Sequence, residues 1–258
     1  MQAHIVLAHP EPGSYNARLA ATARRSLEAA GWQVTLSALY AEGFDPCERP
    51  EHYGKRVAPG RFDVQAEQRH ASAEDALPPA VEAEIRHLEQ ADLLILQYPL
   101  WWHLPPAMLK GWFDRVFAYG RVYTSGQRFE AGHFAGKRAL LSVTVGTSAA
   151  TYAFDGRSGD IDLLLWPVNF SLAYVGYEVL APLVTYGVEA GLRYSDPAVV
   201  TARLEQAAQD LGSALGQLDS RPAIPFNRMR EWGADGRIVP GAPVHSPFIR
   251  RRRDLDLG

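Results

Sequence analysis

Short apolar runs alternate with amphipathic stretches along most of the chain. The runs typical of buried strands occupy residues 4–8, 34–39, 92–98, 138–145 and 178–181. Helical periodicity begins after Ser14 and stops at Gly31, and it returns at residues 79–90, 107–117, 161–175 and 197–218. Strands that alternate with helices through short connections predict an α/β fold built around a parallel sheet.

Two stretches depart from this rhythm. Residues 40–77 are polar, contain three prolines and show no sustained periodicity, which is typical of a functional or disordered insertion. Beyond residue 219, Pro and Gly recur without periodicity, so we expect an extended C-terminal arm. The prediction is a doubly wound domain over residues 1–220, with five parallel strands in the order 2-1-3-4-5, and an arm over residues 221–258. In such a sheet the ligand crevice lies at the carboxyl ends of strands 1, 3 and 4.

Composition and charge exclude several classes of function. The 258 residues are 47% hydrophobic, enough for one substantial core, and the formal net charge of −3 gives no reason to expect nucleic acid as the main partner. Cys47 is the only cysteine, which excludes an intrachain disulfide and a thiolate metal cluster, and no metal site is predicted. No signal peptide and no membrane span are found, so we expect a cytoplasmic protein. The basic run Arg250 to Arg253 is interpreted as a solvated tail.

The first loop expected at the crevice precedes the first helix. Ser14 or Asn16 can cap that helix, and its free N–H groups favour an anion such as a phosphate. His9 can add a further donor. Plain capping beside a surface histidine is the alternative. The loop contains neither a G-x-G-x-x-G pattern nor a P-loop, which argues against a Rossmann dinucleotide site and an NTPase.

The second and third loops have different compositions. Residues 99–106 place two adjacent tryptophans and a histidine between prolines, an arrangement that suits a planar aromatic ligand. Packing against the insertion or against a second subunit is the alternative. Residues 144–152 are small and contain Gly146, so their N–H groups can approach a ligand closely, although this composition alone indicates only a loop.

Several motifs, in the same chain order, resemble those of the NAD(P)H:quinone oxidoreductases, or DT-diaphorases, which have a flavodoxin-like fold. The likeness runs from about residue 4 to residue 220, whereas the arm matches only in length and character. The motifs that carry it are Ile-Val-Leu-Ala-His-Pro at 5–10, Gln-Tyr-Pro-Leu-Trp-Trp at 97–102, Pro-Ala-Met-Leu-Lys-Gly-Trp-Phe-Asp-Arg-Val-Phe at 106–117, Gly-Lys-Arg-Ala-Leu-Leu-Ser-Val-Thr at 136–144, Gly-Asp at 159–160 and Leu-Trp-Pro at 165–167.

The resemblance implies a homodimer with one flavin per subunit and an active site completed by the neighbouring chain. It implies two-electron hydride transfer from NAD(P)H, through the flavin, to a quinone-like acceptor in a ping-pong sequence. Longer members with an insertion and an arm like these hold FAD, whereas shorter relatives hold FMN, so FAD is expected. Exposed Trp101, Trp102, Trp112 and Phe113 are a further reason to expect a dimer.

The resemblance also implies roles for single residues. Tyr152 is expected at the polar edge of the flavin, Tyr123 in the substrate pocket, and Asp63 where the family has a glutamine that reaches the flavin. The remaining flavin contacts are expected to be His9, Tyr15 and Asn16 near the diphosphate; Leu100, Trp101, Trp102 and His103 along one edge; and Thr144, Val145, Gly146 and Thr147 at the ring.

This chain departs from the family near Tyr152. The family histidine six residues further along is replaced by Ser158, and Arg157 lies beside it. A second pocket tyrosine is replaced by Ser125, and the second glycine of the flavin-edge loop by Thr147. We hypothesise that Tyr152 donates a hydrogen bond to the reduced flavin and that Arg157 supplies the positive charge that the replaced family histidine would have provided. The alternative is that Arg157 is an ordinary surface arginine.

Two other functions fit a flavin-binding chain. A flavodoxin-type electron carrier is disfavoured because such carriers are acidic and have a Thr/Ser-Gly phosphate loop, whereas this loop is His-Pro-Glu-Pro-Gly. A regulatory flavoprotein that binds a partner protein is the third interpretation. The physiological acceptor and the choice between NADH and NADPH stay open.

Overall fold

A five-stranded parallel sheet with the order β2-β1-β3-β4-β5 forms the centre of the fold in the computed structural model, which describes residues 1–189 and 196–249. The predicted strand order is confirmed. The strands are β1 (Gln2–Leu7), β2 (Gln33–Ala38), β3 (Leu93–Pro99), β4 (Arg138–Thr144) and β5 (Glu178–Thr185). The helices are α1 (Tyr15–Ala29), α2 (Val64–Ala73), α3 (Pro79–Gln90), α4 (Ala107–Val116), α5 (Ile161–Tyr174) and α6 (Pro197–Leu215).

Helices cover both faces of the sheet. Leu27 of α1 and Leu211 of α6 lie in the core cluster on one face, whereas Ile85 of α3, Trp112 of α4 and Leu165 of α5 lie in the cluster on the other. Every residue of β3 is buried, because a central parallel strand has a packed layer on each side. This explains why the strand sequences are continuous apolar runs, and it leaves the loops at the carboxyl ends of the strands as the open edge.

Helix α1 begins and ends where its sequence predicts. The Ser14 hydroxyl accepts a hydrogen bond from the backbone N–H of Ala17 at 3.2 Å, which satisfies one of the free N–H groups of the first turn. Gly31 has a φ of 84°, a left-handed conformation that costs glycine little and that directs the chain away from the helix into β2.

Strand β5 is longer than predicted, since Pro182 does not end it. Leu140 of β4 pairs with Leu180, and Ser142 pairs with Leu183, so two residues of β5 oppose a single residue of β4. Pro182 lies in this bulge, where its missing N–H group removes no ladder hydrogen bond. The strand therefore continues to Thr185.

The C-terminal arm is confirmed over the described residues 221–249. Its first residues lie antiparallel to β5, with a bridge between Leu180 and Ala223. The ring of Phe226 then packs 4.9 Å from that of Trp166 on α5. Further along, the described part of the arm contains the short helical turn Met229–Glu231 and an antiparallel bridge between Trp232 and Ile238. The run Arg250 to Arg253 lies outside the described residues.

The insertion contains a helix, α2, that the sequence analysis missed. Its inward face is polar: Glu67 and Gln68 are both buried. Glu67 accepts hydrogen bonds from the Arg56 side chain at 2.6 Å and from the Val57 N–H at 3.0 Å, and the Gln68 amide donates to the Asp114 carbonyl at 3.0 Å. Because two of the three buried residues of α2 are polar, with Ala71 the third, the helix leaves no hydrophobic periodicity in the sequence.

Two aromatic residues predicted to be exposed are buried. Trp112 has no exposed surface and donates its indole N–H to Glu84 at 2.7 Å, and Phe113 is 8% exposed. Both belong to the core between α4 and the sheet, so they give no support to a dimer surface. The described helices are all too short or too polar to span a lipid bilayer.

Candidate active site

A groove of about 700 Å³ lies at the carboxyl ends of β1, β3 and β4, the position expected from the strand order. The three predicted loops meet there. The predicted residues that line it are His9, Tyr15, Asn16, Leu100, Trp101, Trp102, Thr144, Val145 and Gly146.

One end of the groove is the N-terminus of α1. Ser14 caps the helix through Ala17, and the backbone N–H groups of Tyr15 and Asn16 have no partner among the described residues. These groups and the helix dipole favour an anion. The Nδ1 atom of His9 accepts the N–H of Glu11 at 3.1 Å, which leaves Nε2 as the protonated donor nitrogen. The phosphate-binding role predicted for this loop fits the geometry.

The side chain of Asn16 is buried and holds the groove together. Its amide nitrogen donates to the Thr144 hydroxyl at 3.0 Å, and its oxygen accepts the Gln97 amide at 2.8 Å. Asn16 thus connects α1 to the ends of β3 and β4. The hydroxyl of Tyr15 donates to the Leu204 carbonyl at 2.6 Å and connects α1 to α6 in the same way. Both side chains position the groove wall.

The second predicted loop, residues 99–106, is called the tryptophan-rich loop below. It contains a tight turn between Trp101 and Leu104, whose backbones exchange hydrogen bonds of 2.9 and 3.0 Å. Trp102 and His103 at its tip have φ values of 53° and 63°. This left-handed conformation is unfavourable for bulky residues and costs of the order of 1–3 kcal/mol for each. Trp102 is nevertheless 92% exposed. A strained turn that holds a large aromatic ring in solvent is typical of a ligand-binding site.

The third loop leaves its backbone open. A side chain at Gly146 would meet only the Val188 carbonyl oxygen, 3.8 Å from its Cβ, so packing does not require a glycine there. The N–H of Gly187 donates to the Thr147 carbonyl at 2.8 Å and holds the loop against the end of β5. The open space above Gly146 therefore faces the groove, while Thr147 lies just beyond its lining.

Tyr152 lies on the turn Ala149–Tyr152, opposite the tryptophan-rich loop, and its ring is 6.5 Å from that of His103. Arg157 is exposed and makes no ion pair with the described residues. The N–H of Ser158 donates to the Thr151 carbonyl at 3.0 Å, which closes this loop on itself. The fold thus brings two rings from other segments next to Tyr152: that of His103 and that of Tyr186, whose centres lie 6.5 and 6.4 Å away.

Tyr123 and Asp63 do not reach the groove within one chain. Tyr123 lines a second cavity of about 570 Å³ between α2, α4 and α5, where its ring packs 5.3 Å from that of Tyr119. Asp63 is exposed and caps α2 by accepting the N–H of Ala66 at 3.1 Å. Neither residue therefore lines the groove of its own chain, and their roles beside a flavin stay predictions.

The groove also includes residues that sequence analysis missed. Val188 and Glu189 follow β5, and Leu204 lies on α6. Nothing in their local sequence distinguishes them: Val188 and Glu189 reach the groove because they follow β5, and Leu204 because α6 packs against α1. Leu204 could have been proposed from the helical face that it shares with Ala208 and Leu211.

Comparisons with known proteins agree with this geometry. The profile of a family described as having a flavodoxin-like fold matches residues 1–212. The chain is 41% identical to NAD(P)H dehydrogenase [quinone] 1 of Cavia porcellus over 189 residues, which cover 72% of this chain and 69% of that protein. It is 39% identical to the ribosyldihydronicotinamide dehydrogenase [quinone] of Mus musculus over 187 residues, 72% of this chain and 81% of that protein.

A solved structure extends the likeness to nearly the whole chain. A provisionally assigned quinone reductase from Klebsiella pneumoniae superposes with a TM-score of 0.81 at 33% identity, covering 93% of this chain and 92% of that one. The match therefore includes most of the insertion and the arm. On these grounds the chain belongs to the NAD(P)H:quinone oxidoreductase family of flavodoxin-like proteins.

Proposed function

We propose that this protein is a flavin-dependent NAD(P)H:quinone oxidoreductase that passes two electrons from the nucleotide to a quinone-like acceptor in ping-pong order. The observation that carries the proposal is the groove at the ends of β1, β3 and β4. It combines free N–H groups for a phosphate, an exposed and rigid tryptophan turn for a planar ring, and an open backbone at Gly146. A bound flavin would supply the hydride chemistry there.

The proposed cofactor is FAD. The groove continues from Trp101 past Tyr15 to Leu204 on α6, which leaves room beyond the first phosphate. The insertion, whose presence was one reason to expect FAD, lines the second cavity through Val64 and Gln68. The support for FAD in place of FMN therefore comes from the α6 side of the groove.

Side chains of this protein would stabilise the negative charge of the reduced flavin. Tyr152 offers a hydroxyl donor, and the His103 ring lies close enough to take part in the same hydrogen-bond network. Arg157, exposed on the following loop, would add positive charge that stabilises the reduced ring. The Trp101–Leu104 turn would fix one face of the site, since its backbone hydrogen bonds prevent it from collapsing into the groove.

A homodimer would complete the site. Trp102, Leu104 and Phe154 are 92%, 60% and 85% exposed, and all lie on loops at the edge of the sheet that holds the groove. A second copy would cover this apolar surface. In such a dimer Tyr123 would serve the neighbouring chain's groove. Residues 1–220 would form the flavin domain and 221–258 the arm. A cytoplasmic location stays a prediction.

The proposal is tested by denaturing the purified protein, identifying the released flavin by chromatography, and assaying NADH and NADPH oxidation with a short-chain quinone. We expect FAD and steady turnover. An electron carrier of the flavodoxin type would release a flavin but oxidise neither nucleotide by itself. A regulatory flavoprotein would instead co-purify with its partner and show little turnover. Release of FMN alone would exclude the FAD assignment without affecting the activity.

A further inference from the structure

His4, Glu84 and His87 form a cluster at the opposite face of the sheet from α1, away from the groove. His4 lies on β1, and Glu84 and His87 lie one turn apart on α3. The Nε2 atom of His4 is 3.8 Å from one carboxylate oxygen of Glu84, and the Nδ1 atom of His87 is 3.5 Å from the other. One ligand atom from each residue lies within 4.8 Å of the others.

The nitrogen atoms that face this carboxylate have no hydrogen-bond partner. His4 is completely buried, and its Nε2 atom is unpartnered, as is the buried Nδ1 atom of His87. An unpaired polar atom in the interior is costly, so a native protein normally provides a partner for it. Two imidazole nitrogens aimed at one carboxylate leave a gap that a cation would fill.

The surrounding residues fix the ligands as a metal site requires. The hydroxyl of Thr35 lies 2.8 Å from the Nδ1 atom of His4 and 3.5 Å from the Ala3 carbonyl oxygen. When Thr35 donates to Ala3 and accepts the Nδ1–H of His4, the Nε2 atom carries the lone pair that a metal ion requires. A lone pair 3.8 Å from a carboxylate is repelled by it, whereas both atoms attract a shared cation. Outer hydrogen bonds of this kind are what orient metal-binding histidines.

The carboxylate of Glu84 is held in the same way. Ser37 donates to one of its oxygens at 2.6 Å, and the indole of Trp112 donates to the other at 2.7 Å. Burial acts to raise the pKa of Glu84, and the hydrogen bonds that Ser37 and Trp112 donate to the carboxylate act to lower it. The group is thus an oriented anion at neutral pH.

We propose that His4, Glu84 and His87 bind one zinc-type divalent ion. Bonds of about 2.0–2.2 Å in a tetrahedral arrangement place neighbouring ligand atoms about 3.4 Å apart. The two histidine–carboxylate separations are 3.8 and 3.5 Å, and all three ligand atoms lie within 4.8 Å of one another, so small side-chain shifts would bring them onto one ion. Two histidines and one glutamate are a known zinc ligand set, with water as the fourth ligand. The side chain of His87 is 38% exposed, so both the ion and that water can reach the site from solvent.

The ion would connect β1 to α3 and would act on stability and not on hydride transfer. His4 is three residues before the end of β1, and the groove begins only beyond that end. Zinc binding to the folded protein alone would raise the melting temperature, because a ligand that binds only the native state stabilises it.

The test uses tag-free, chelator-treated protein that is dialysed against zinc chloride and analysed for bound zinc and melting temperature. The exposed ligand is changed in His87→Gln, and Thr35→Val removes the hydroxyl that sets the tautomer. His52→Gln is the matched control, since His52 also lies near carboxylates, 3.2 Å from Asp45 and 3.9 Å from Glu48, but among the described residues these three do not bring their ligand atoms together as a metal site would. Magnesium chloride replaces zinc chloride in a parallel series.

We expect one zinc per chain, a higher melting temperature with zinc but not with magnesium, and a loss of affinity of about tenfold or more in His87→Gln and Thr35→Val. His52→Gln should bind as the unchanged protein does. Equal zinc binding by His87→Gln and His52→Gln would overturn the proposal. So would an absence of zinc binding by the unchanged protein.

Discussion

The imidazole of His103 and the phenol of Tyr152 lie 6.5 Å apart, ring centre to ring centre, although they come from the loops after two different strands. The family resemblance places a histidine on the same loop as this tyrosine, at a position that is Ser158 here. The fold supplies an imidazole from the tryptophan-rich turn instead. A tyrosine and a histidine therefore still lie near each other, on loops whose neighbouring residues line the groove.

Arg157→Ala tests the charge proposed for the reduced flavin. If the guanidinium stabilises the transition state, flavin reduction by NAD(P)H should slow about tenfold or more, equivalent to about 1.4 kcal/mol. Arg157→Lys should keep most of the rate, and His103→Gln measures the separate contribution of the imidazole. Stopped-flow absorbance follows the reaction. An unchanged rate of flavin reduction in Arg157→Ala would show that Arg157 is an ordinary surface residue.

Trp102→Gly tests whether the strained turn serves the ligand. Glycine relieves the left-handed strain at this position, but the ring is lost, so we expect flavin affinity to fall about tenfold or more. Asp75→Gly is the matched control, because Asp75 also has a positive φ, of 49°, and is exposed on a turn after α2. Fluorescence titration of flavin-free protein measures both. Equal flavin affinities in Trp102→Gly and Asp75→Gly would show that the strained backbone at Trp102 does not serve flavin binding.

Asn16→Ala tests the network beneath the groove. The change leaves the buried Gln97 amide and the Thr144 hydroxyl without their partner, and each such group costs about 1–3 kcal/mol. Urea denaturation should show a lower free energy of unfolding with an unchanged slope. Asn169→Ala should cost less, because the Oδ1 atom of Asn169 is buried without any hydrogen bond to lose. A larger loss in Asn169→Ala would contradict this account of the network.

Glu67→Gln tests the buried anchor of the insertion. The hydrogen bond from Arg56, together with that from the Val57 N–H, keeps the pKa of Glu67 below its ordinary value. A carboxyl with a lowered folded-state pKa stabilises the protein above its unfolded pKa of about 4.3, and this contribution is lost as the pH falls through the lower folded value. Melting temperatures between neutral pH and about pH 3 should therefore fall less steeply in Glu67→Gln. An unchanged acid-side slope would mean that Glu67 is not linked to folding.

Patterns among residues close in sequence predicted much of the fold. The cap at Ser14, the stop at Gly31 and the apolar strands each follow from residues close in sequence. Strand β5 and helix α2 were misjudged because tertiary contacts override the local pattern. Pro182 is tolerated only because a bulge accommodates it, and α2 is held by buried polar bonds through Glu67.

The candidate site, like the fold, could be predicted only in part from the sequence. The three loops of the groove were predictable, because strand order determines where carboxyl ends meet. The positions of Tyr123 and Asp63 were not, since the resemblance does not say which residues serve their own chain and which serve a neighbour. The contact between His103 and Tyr152 was not predictable either, because it depends on how two turns fold toward each other.

The central claim is tested most directly by mixing the flavin-loaded protein with NADH or NADPH without oxygen and recording the flavin absorbance, followed by addition of a short-chain quinone. We predict that one equivalent of nucleotide bleaches the flavin and that the quinone restores its oxidised spectrum. A flavin that neither nucleotide bleaches, or a reduced flavin that the quinone leaves bleached, would contradict the account.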